Sequence, residues 1–124
     1  MTISKVIQEA DENRPNVFTT EKKVEWLSDL DGTIAAELMY MSNEDLQQFK
    51  YDPVDDMNTE LLVSFPYDKM YLLYLIAKID EMNGEYGRYA NAATVYNAAY
   101  NEFKVWFLSN WDPAQGYPPE EEEY

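Results

Sequence analysis

Histidine and cysteine are both absent from this chain of 124 residues. Without histidine the usual general base at neutral pH is missing, and with it the commonest ligand of transition metals. Without cysteine there is neither a disulfide nor a thiolate metal site, which suits an intracellular protein. Chemistry would fall to carboxylates, tyrosines or lysines, so the sequence argues against an enzyme and predicts no cofactor and no metal. Positive charge is scarce as well: nine basic residues face 24 acidic ones, a net charge of −15. That balance disfavours phosphate backbones and anionic membranes. It leaves solubility, a basic partner, a protein that mimics DNA, or a surface that repels nucleic acid. No run of 18 uncharged apolar residues exists, and no basic stretch precedes an apolar one, so neither a membrane span nor a secretory signal is expected.

What is present is a globular composition, 46% apolar, in a length suited to one domain. The strongest pattern is an aromatic stripe. Tyr86, Tyr89, Ala93, Tyr96, Tyr100, Phe103 and Phe107 recur at alternating spacings of three and four, which puts them on one face of a long helix. Upstream, the run from Met70 to Ala77 is apolar nearly all round and predicts a helix buried between neighbours. Asn83-Gly84 supplies a left-handed stop between the two, so they should form an antiparallel αα-hairpin. Nearer the start, Thr2 or Ser4 caps a first helix with Ile3, Val6, Ile7 and Ala10 on one face. Thr19 or Thr20 caps a second, with Glu21 in its first turn and a seam of Leu27, Leu30, Ile34, Leu38 and Met41. Gly32 interrupts that helix, and its smallness would permit a close crossing. Two short runs, 48–51 and 60–64, read as a small β-hairpin. Pro66 sits where prolines favour a helix start.

The predicted fold is therefore mainly all-α, a small bundle around a C-terminal αα-hairpin with a short β-hairpin near 48–64. Residues 1–115 form a single domain. Residues 116–124, with two prolines and four consecutive glutamates, form an acidic solvated tail.

Two strings invite a chemical reading. Asp29-Leu30-Asp31-Gly32-Thr33-Ile34 resembles the nucleophile motif of haloacid-dehalogenase-type phosphatases, which needs the end of a buried parallel strand and Mg²⁺. The charged, capped stretch before it predicts a helix with two exposed aspartates instead. Asp52, Asp55, Asp56, Asn58 and Glu60 suggest a Ca²⁺ loop. Counting from Asp56, however, Leu61 stands where the obligatory glycine belongs and Tyr67 where the bidentate glutamate belongs. An acidic surface loop is the expectation.

Several segments occur in a suggestive order: Glu25 to Gly32, Thr59 to Val63, Pro66-Tyr67-Asp68, Tyr74 to Asp80 and Asn83 to Asn91, followed by the aromatic helix. Together, from about Ile3 to Trp111, they resemble the small head–tail connector proteins of tailed phages and prophages of Gram-positive bacteria. The resemblance implies a virion structural protein of the head–tail junction, made in the host cytoplasm and acting by assembly. Its partners would be further copies in a ring of the portal's symmetry, the portal protein, and the next neck or tail component. DNA would pass through the lumen without specific binding, and no membrane is involved.

Eleven tyrosines is a high number, and tyrosine suits interfaces. Candidate contacts to neighbouring subunits or the portal are Tyr86, Tyr89, Asn91, Asn97, Asn101, Trp111 and Tyr124. Candidate acids facing a DNA channel are Asp52, Asp55, Asp56, Glu120, Glu121, Glu122 and Glu123, because fixed cations there would grip the phosphates. The alternative is a small acidic DNA mimic that inhibits a nucleic-acid-binding protein. Its acids should lie on one face at phosphate-like spacing.

Overall fold

The computed structural model describes residues 1–110. These form five α-helices: α1 (Ile3–Asn13), α2 (Thr20–Glu37), the one-turn α3 (Asn43–Leu46), α4 (Lys69–Met82) and α5 (Tyr86–Asn110). A 3-10 turn, Gln47–Phe49, continues α3. The fold is a small all-α bundle, and α4–α5 is its hairpin.

Local chemistry explains the boundaries. The Thr2 side chain accepts from the Lys5 amide at 3.2 Å, and the Thr19 side chain from the Lys22 amide at 3.1 Å. Each satisfies one of the donors that the first turn of a helix leaves unpaired. Between α4 and α5, Gly84 adopts φ +72. The Glu85 amide bonds back to the Asp80 carbonyl at 2.9 Å, and that of Gly84 to Glu81 at 3.1 Å. This pair of bonds is a Schellman motif, and only a residue tolerant of positive φ closes it cheaply.

Helix α4 is the centre of the bundle, in contact with α1, α2 and α5. Its all-round apolarity follows: Met70, Tyr71, Leu75 and Ile79 are buried, and Leu72, Leu73, Tyr74 and Ile76 are partly covered. Ile3, Val6, Ile7 and Ala10 of α1 are buried as their spacing predicted, as are Leu27, Leu30, Ile34 and Leu38 of the α2 seam; Val24 is buried beside them. From α5, Ala99, Phe103 and Phe107 reach the core. Tyr74 and Tyr96 meet at 5.2 Å between ring centroids, and Tyr67 from the preceding loop stacks on Trp106 at 5.1 Å.

Five expectations are corrected. The described residues contain no strand; the predicted β-hairpin is replaced by α3, the 3-10 turn and an irregular crossover. Glu60 makes a lone bridge with Thr2, and the amides of Ile3 and Ser4 bond to the carbonyls of Thr59 and Met57. The run thus pairs with the start of α1, which leaves no partner for a hairpin. Helix α4 begins at Lys69 with Asp68 as its cap, three residues beyond Pro66. Helix α2 ends before Met41, which is half-buried past a left-handed Tyr40 (φ 54). The aromatic stripe is covered unevenly: Phe103 and Phe107 are buried, but Tyr86 is 74% exposed.

Gly32 is the fifth. A Cβ built there meets nothing within 4 Å, so no helix crosses closely. Gly32→Ala should then raise stability by about 1 kcal/mol, the difference in helix propensity, as read from the urea midpoint. A fall in the midpoint would contradict the open space around it.

Candidate functional site

The phosphatase-like string lies wholly within α2, and its two aspartates have opposite fates. Asp29 is exposed, whereas Asp31 is completely buried rather than exposed as the helical reading expected. The Tyr71 hydroxyl donates to Asp31 Oδ1 at 2.5 Å. The Tyr51 hydroxyl and the Leu62 amide donate to Oδ2 at 2.5 and 3.0 Å. The Val63 amide donates in turn to the Tyr71 hydroxyl at 2.8 Å. One carboxylate thereby ties α2 to α4 and to both ends of the irregular crossover. Burial raises the Asp31 pKa, and the three hydrogen bonds pull it partly back. With both oxygens occupied and no access from solvent, Asp31 is a structural anchor and not a nucleophile.

The tyrosines are not poised for chemistry either. Burial is the first cause that holds Tyr51, Tyr71, Tyr96 and Tyr100 above the ordinary phenol range, and Tyr74 is pushed up to about 12. All of them are protonated at neutral pH. Among the described residues no three acids converge as a metal site. In the acidic loop, Asp52 and Asp55 are exposed and Asp56 is half-buried. Asp52 Oδ1 accepts from the amides of Asp55 and Val54, both at 2.8 Å, and these bonds lower its pKa. Asp56 Oδ2 accepts from the Asp52 amide at 2.6 Å. The carboxylates close their own turn, which explains their clustering without a cation. No described helix is long and apolar enough to cross a membrane.

The feature left over is the outward side of α5. Gly87, Asn91, Thr94 and Ala98 are exposed there, and the series continues through Asn101, Val105 and Leu108, exposed as well. Their spacings alternate four and three, the period of a helix–helix seam. None carries a charge, in a chain whose net charge is −15. Val105 is 66% and Leu108 55% exposed, so apolar surface remains open at the C-terminal end of the seam. The helix is about 37 Å long, longer than the α4 it packs on.

Of the interface residues expected from sequence, Asn91 and Asn101 lie on this seam, Asn97 lies beside it, and all three are exposed. Tyr86 is exposed at the start of α5 and Tyr89 is half-buried. Trp111, Glu120, Glu121, Glu122, Glu123 and Tyr124 lie outside the described residues. The channel-acid candidates Asp52, Asp55 and Asp56 lie in a loop held to α2 through Tyr51, whose amide donates to Ser28 Oγ at 3.0 Å. The second seam was present in the sequence at the same period as the aromatic one. Its signal is the absence of charge, not the presence of large apolar groups.

A groove on the α4–α5 flank was not foreseen. Leu73 and Ile76 of α4, Ala92 and Val95 of α5, and the side chains of Arg14 and Arg88 line about 300 Å³. Arg14 Nε also pairs with the buried Asp80 at 3.0 Å. Comparison with protein-family models, with curated proteins and with solved structures finds no match to this chain.

Proposed function

We propose that this chain is a virion structural protein, a head–tail connector that forms a ring beneath the portal, extends the DNA channel and joins capsid to neck or tail. The observation that supports it is the charge-free seam of α5. Copies that each carry −15 repel one another over most of their surface, so contact is favourable only where a face is neutral and packs well. A rigid helical body with such a face suits a subunit that contacts its neighbours side to side. A protein with buried, saturated carboxylates and protonated tyrosines suits a passive conduit. The acidic balance fits walls that do not grip DNA.

The test is the oligomeric state, alone and on purified portal, by native mass spectrometry and negative-stain microscopy. The wild-type chain should form closed rings. Ala98→Glu combined with Val105→Glu should abolish them while the far-ultraviolet circular dichroism is unchanged, because both positions face solvent in the single chain. A chain that stays monomeric with and without portal, and competes with DNA for a nucleic-acid-binding protein, would establish the DNA mimic instead.

A further inference from the structure

The chain has two arginines, Arg14 at the end of α1 and Arg88 in the first turn of α5, and both line the flank groove of α4–α5. We propose that the turn at 52–56 of one copy docks in this groove of the next copy, with Val54 on the apolar floor and Asp52 and Asp55 at the two arginines. The proposal rests on the ring reading and deepens it, by naming a contact that joins neighbours.

Charge selects the groove. Its floor is made by Leu73, Ile76, Ala92 and Val95, and its lining holds both arginines and no acid, in a chain where acids outnumber bases 24 to nine. Arg88 is exposed and has no ion-pair partner among the described residues. Arg14 spends Nε on Asp80 and Nη1 on the Asn13 carbonyl at 3.4 Å, which leaves Nη2 without an acceptor among the described residues. Both guanidiniums thus keep donors for carboxylates brought from outside. A volume of about 300 Å³ is small even for a ligand pocket, so it takes the tip of a turn rather than a helix.

The chain itself carries a matching tip. Val54 is 80% exposed, and of the exposed large apolar residues it alone has an acid within two positions on each side. The Asp55 carboxylate and Asp52 Oδ2 have no partner among the described residues, while Asp52 Oδ1 fixes the turn through two amides. Val54 does not line the groove of its own chain. The segment after the turn bonds to the amides of Ile3 and Ser4, whereas Arg14 ends α1 at the other end, about 16 Å away. Turn and groove are therefore different surfaces, and their contact is head-to-tail, the kind that closes a ring or extends a chain. Asn91 lines the groove and lies on the charge-free seam, so docking there brings the seam against the same neighbour.

Native mass spectrometry of full-length chains, alone and on purified portal, tests the contact; the masses of the variants tell mixed from uniform assemblies. Val54→Glu and Arg88→Glu alter exposed positions, so far-ultraviolet circular dichroism should not change, and each should weaken self-association about tenfold or more. Mixed together they should pair, because the first keeps its groove and the second its turn, and the assembly should stop at two chains. Asp55→Lys should weaken association even though it reduces the net negative charge, and adding Arg88→Glu to the same chain should restore it. A mixture that does not pair, or association strengthened by Asp55→Lys, would overturn the contact. Rings that survive both Val54→Glu and Arg88→Glu would overturn it and leave the ring reading standing. Open chains of wild type, abolished by either variant, would uphold the contact and overturn the ring. A wild-type chain that is monomeric with and without portal would overturn both.

Discussion

Asp31→Asn should be the most damaging isosteric change in this protein, lowering stability by about 3 kcal/mol at neutral pH. In a domain of this size that is a drop of roughly 10–15 °C in Tm. The reason is the polarity of the site. Three donors converge on the carboxylate, from Tyr71, Tyr51 and the Leu62 amide. An asparagine keeps one acceptor oxygen and turns an NH₂ group towards donors that remain. Tyr71→Phe should cost about 2 kcal/mol, because it also strands the buried Val63 amide. Tyr51 is partly exposed, so Tyr51→Phe should cost about 1 kcal/mol. Asp31→Asn and Tyr71→Phe together should cost less than their sum by at least about 1 kcal/mol, since they break one network. Additive losses in urea melts would mean that the two side chains do not act together.

The same carboxyl sets a pH dependence with a definite sign. Its folded pKa is raised above its unfolded value, chiefly by burial. Its contribution to stability is then fully present below the unfolded value, about 3.9, and is lost as pH rises through the folded value. The stability difference between wild type and Asp31→Asn should therefore be largest in acid and shrink as pH rises, levelling above the folded pKa. A difference that grows from acid to neutral pH would contradict burial as the dominant cause.

Arg14→Met should rank next, at about 2 kcal/mol. Asp80 has a side chain only 2% exposed, and Arg14 Nε is its counterion at 3.0 Å. Removing one partner of a buried pair commonly costs about 3–5 kcal/mol, because the other charge is left in a low dielectric. Arg14 is itself 34% exposed, so water reaches the vacated position and the penalty is smaller. The double change Arg14→Met with Asp80→Leu should recover part of the loss, as replacement of a whole buried pair by apolar groups often does. A double variant less stable than Arg14→Met alone would show that Asp80 matters for more than its pairing with Arg14.

These two anchors mark where the sequence is legible and where it is not. Helix existence was readable from spacing: Ile3, Val6, Ile7 and Ala10 all reach the core, and so do Leu27, Leu30 and Ile34. The caps at Thr2 and Thr19 and the stop at Gly84 were readable because each is satisfied by atoms within a few residues. The β-hairpin expected from the runs 48–51 and 60–64 does not form, because backbone groups of 57–62 bond to the start of α1 and to the Asp31 carboxylate, both distant in sequence.

The charge-free seam of α5 could have been found by asking which helix face avoids acids in an acidic chain. The groove at Arg14 and Arg88 could not, because its walls come from α4, α5 and the residue that ends α1.

The sequence by itself determined the helices, their caps, the hairpin turn and the want of histidine and cysteine, since periodicity and turn chemistry act over a few residues. The tertiary structure alone decided that Asp31 is an anchor, that Gly32 faces open space, and that α5 keeps a neutral seam exposed. Burial depends on partners 20 and 40 residues away, and no local pattern encodes those distances.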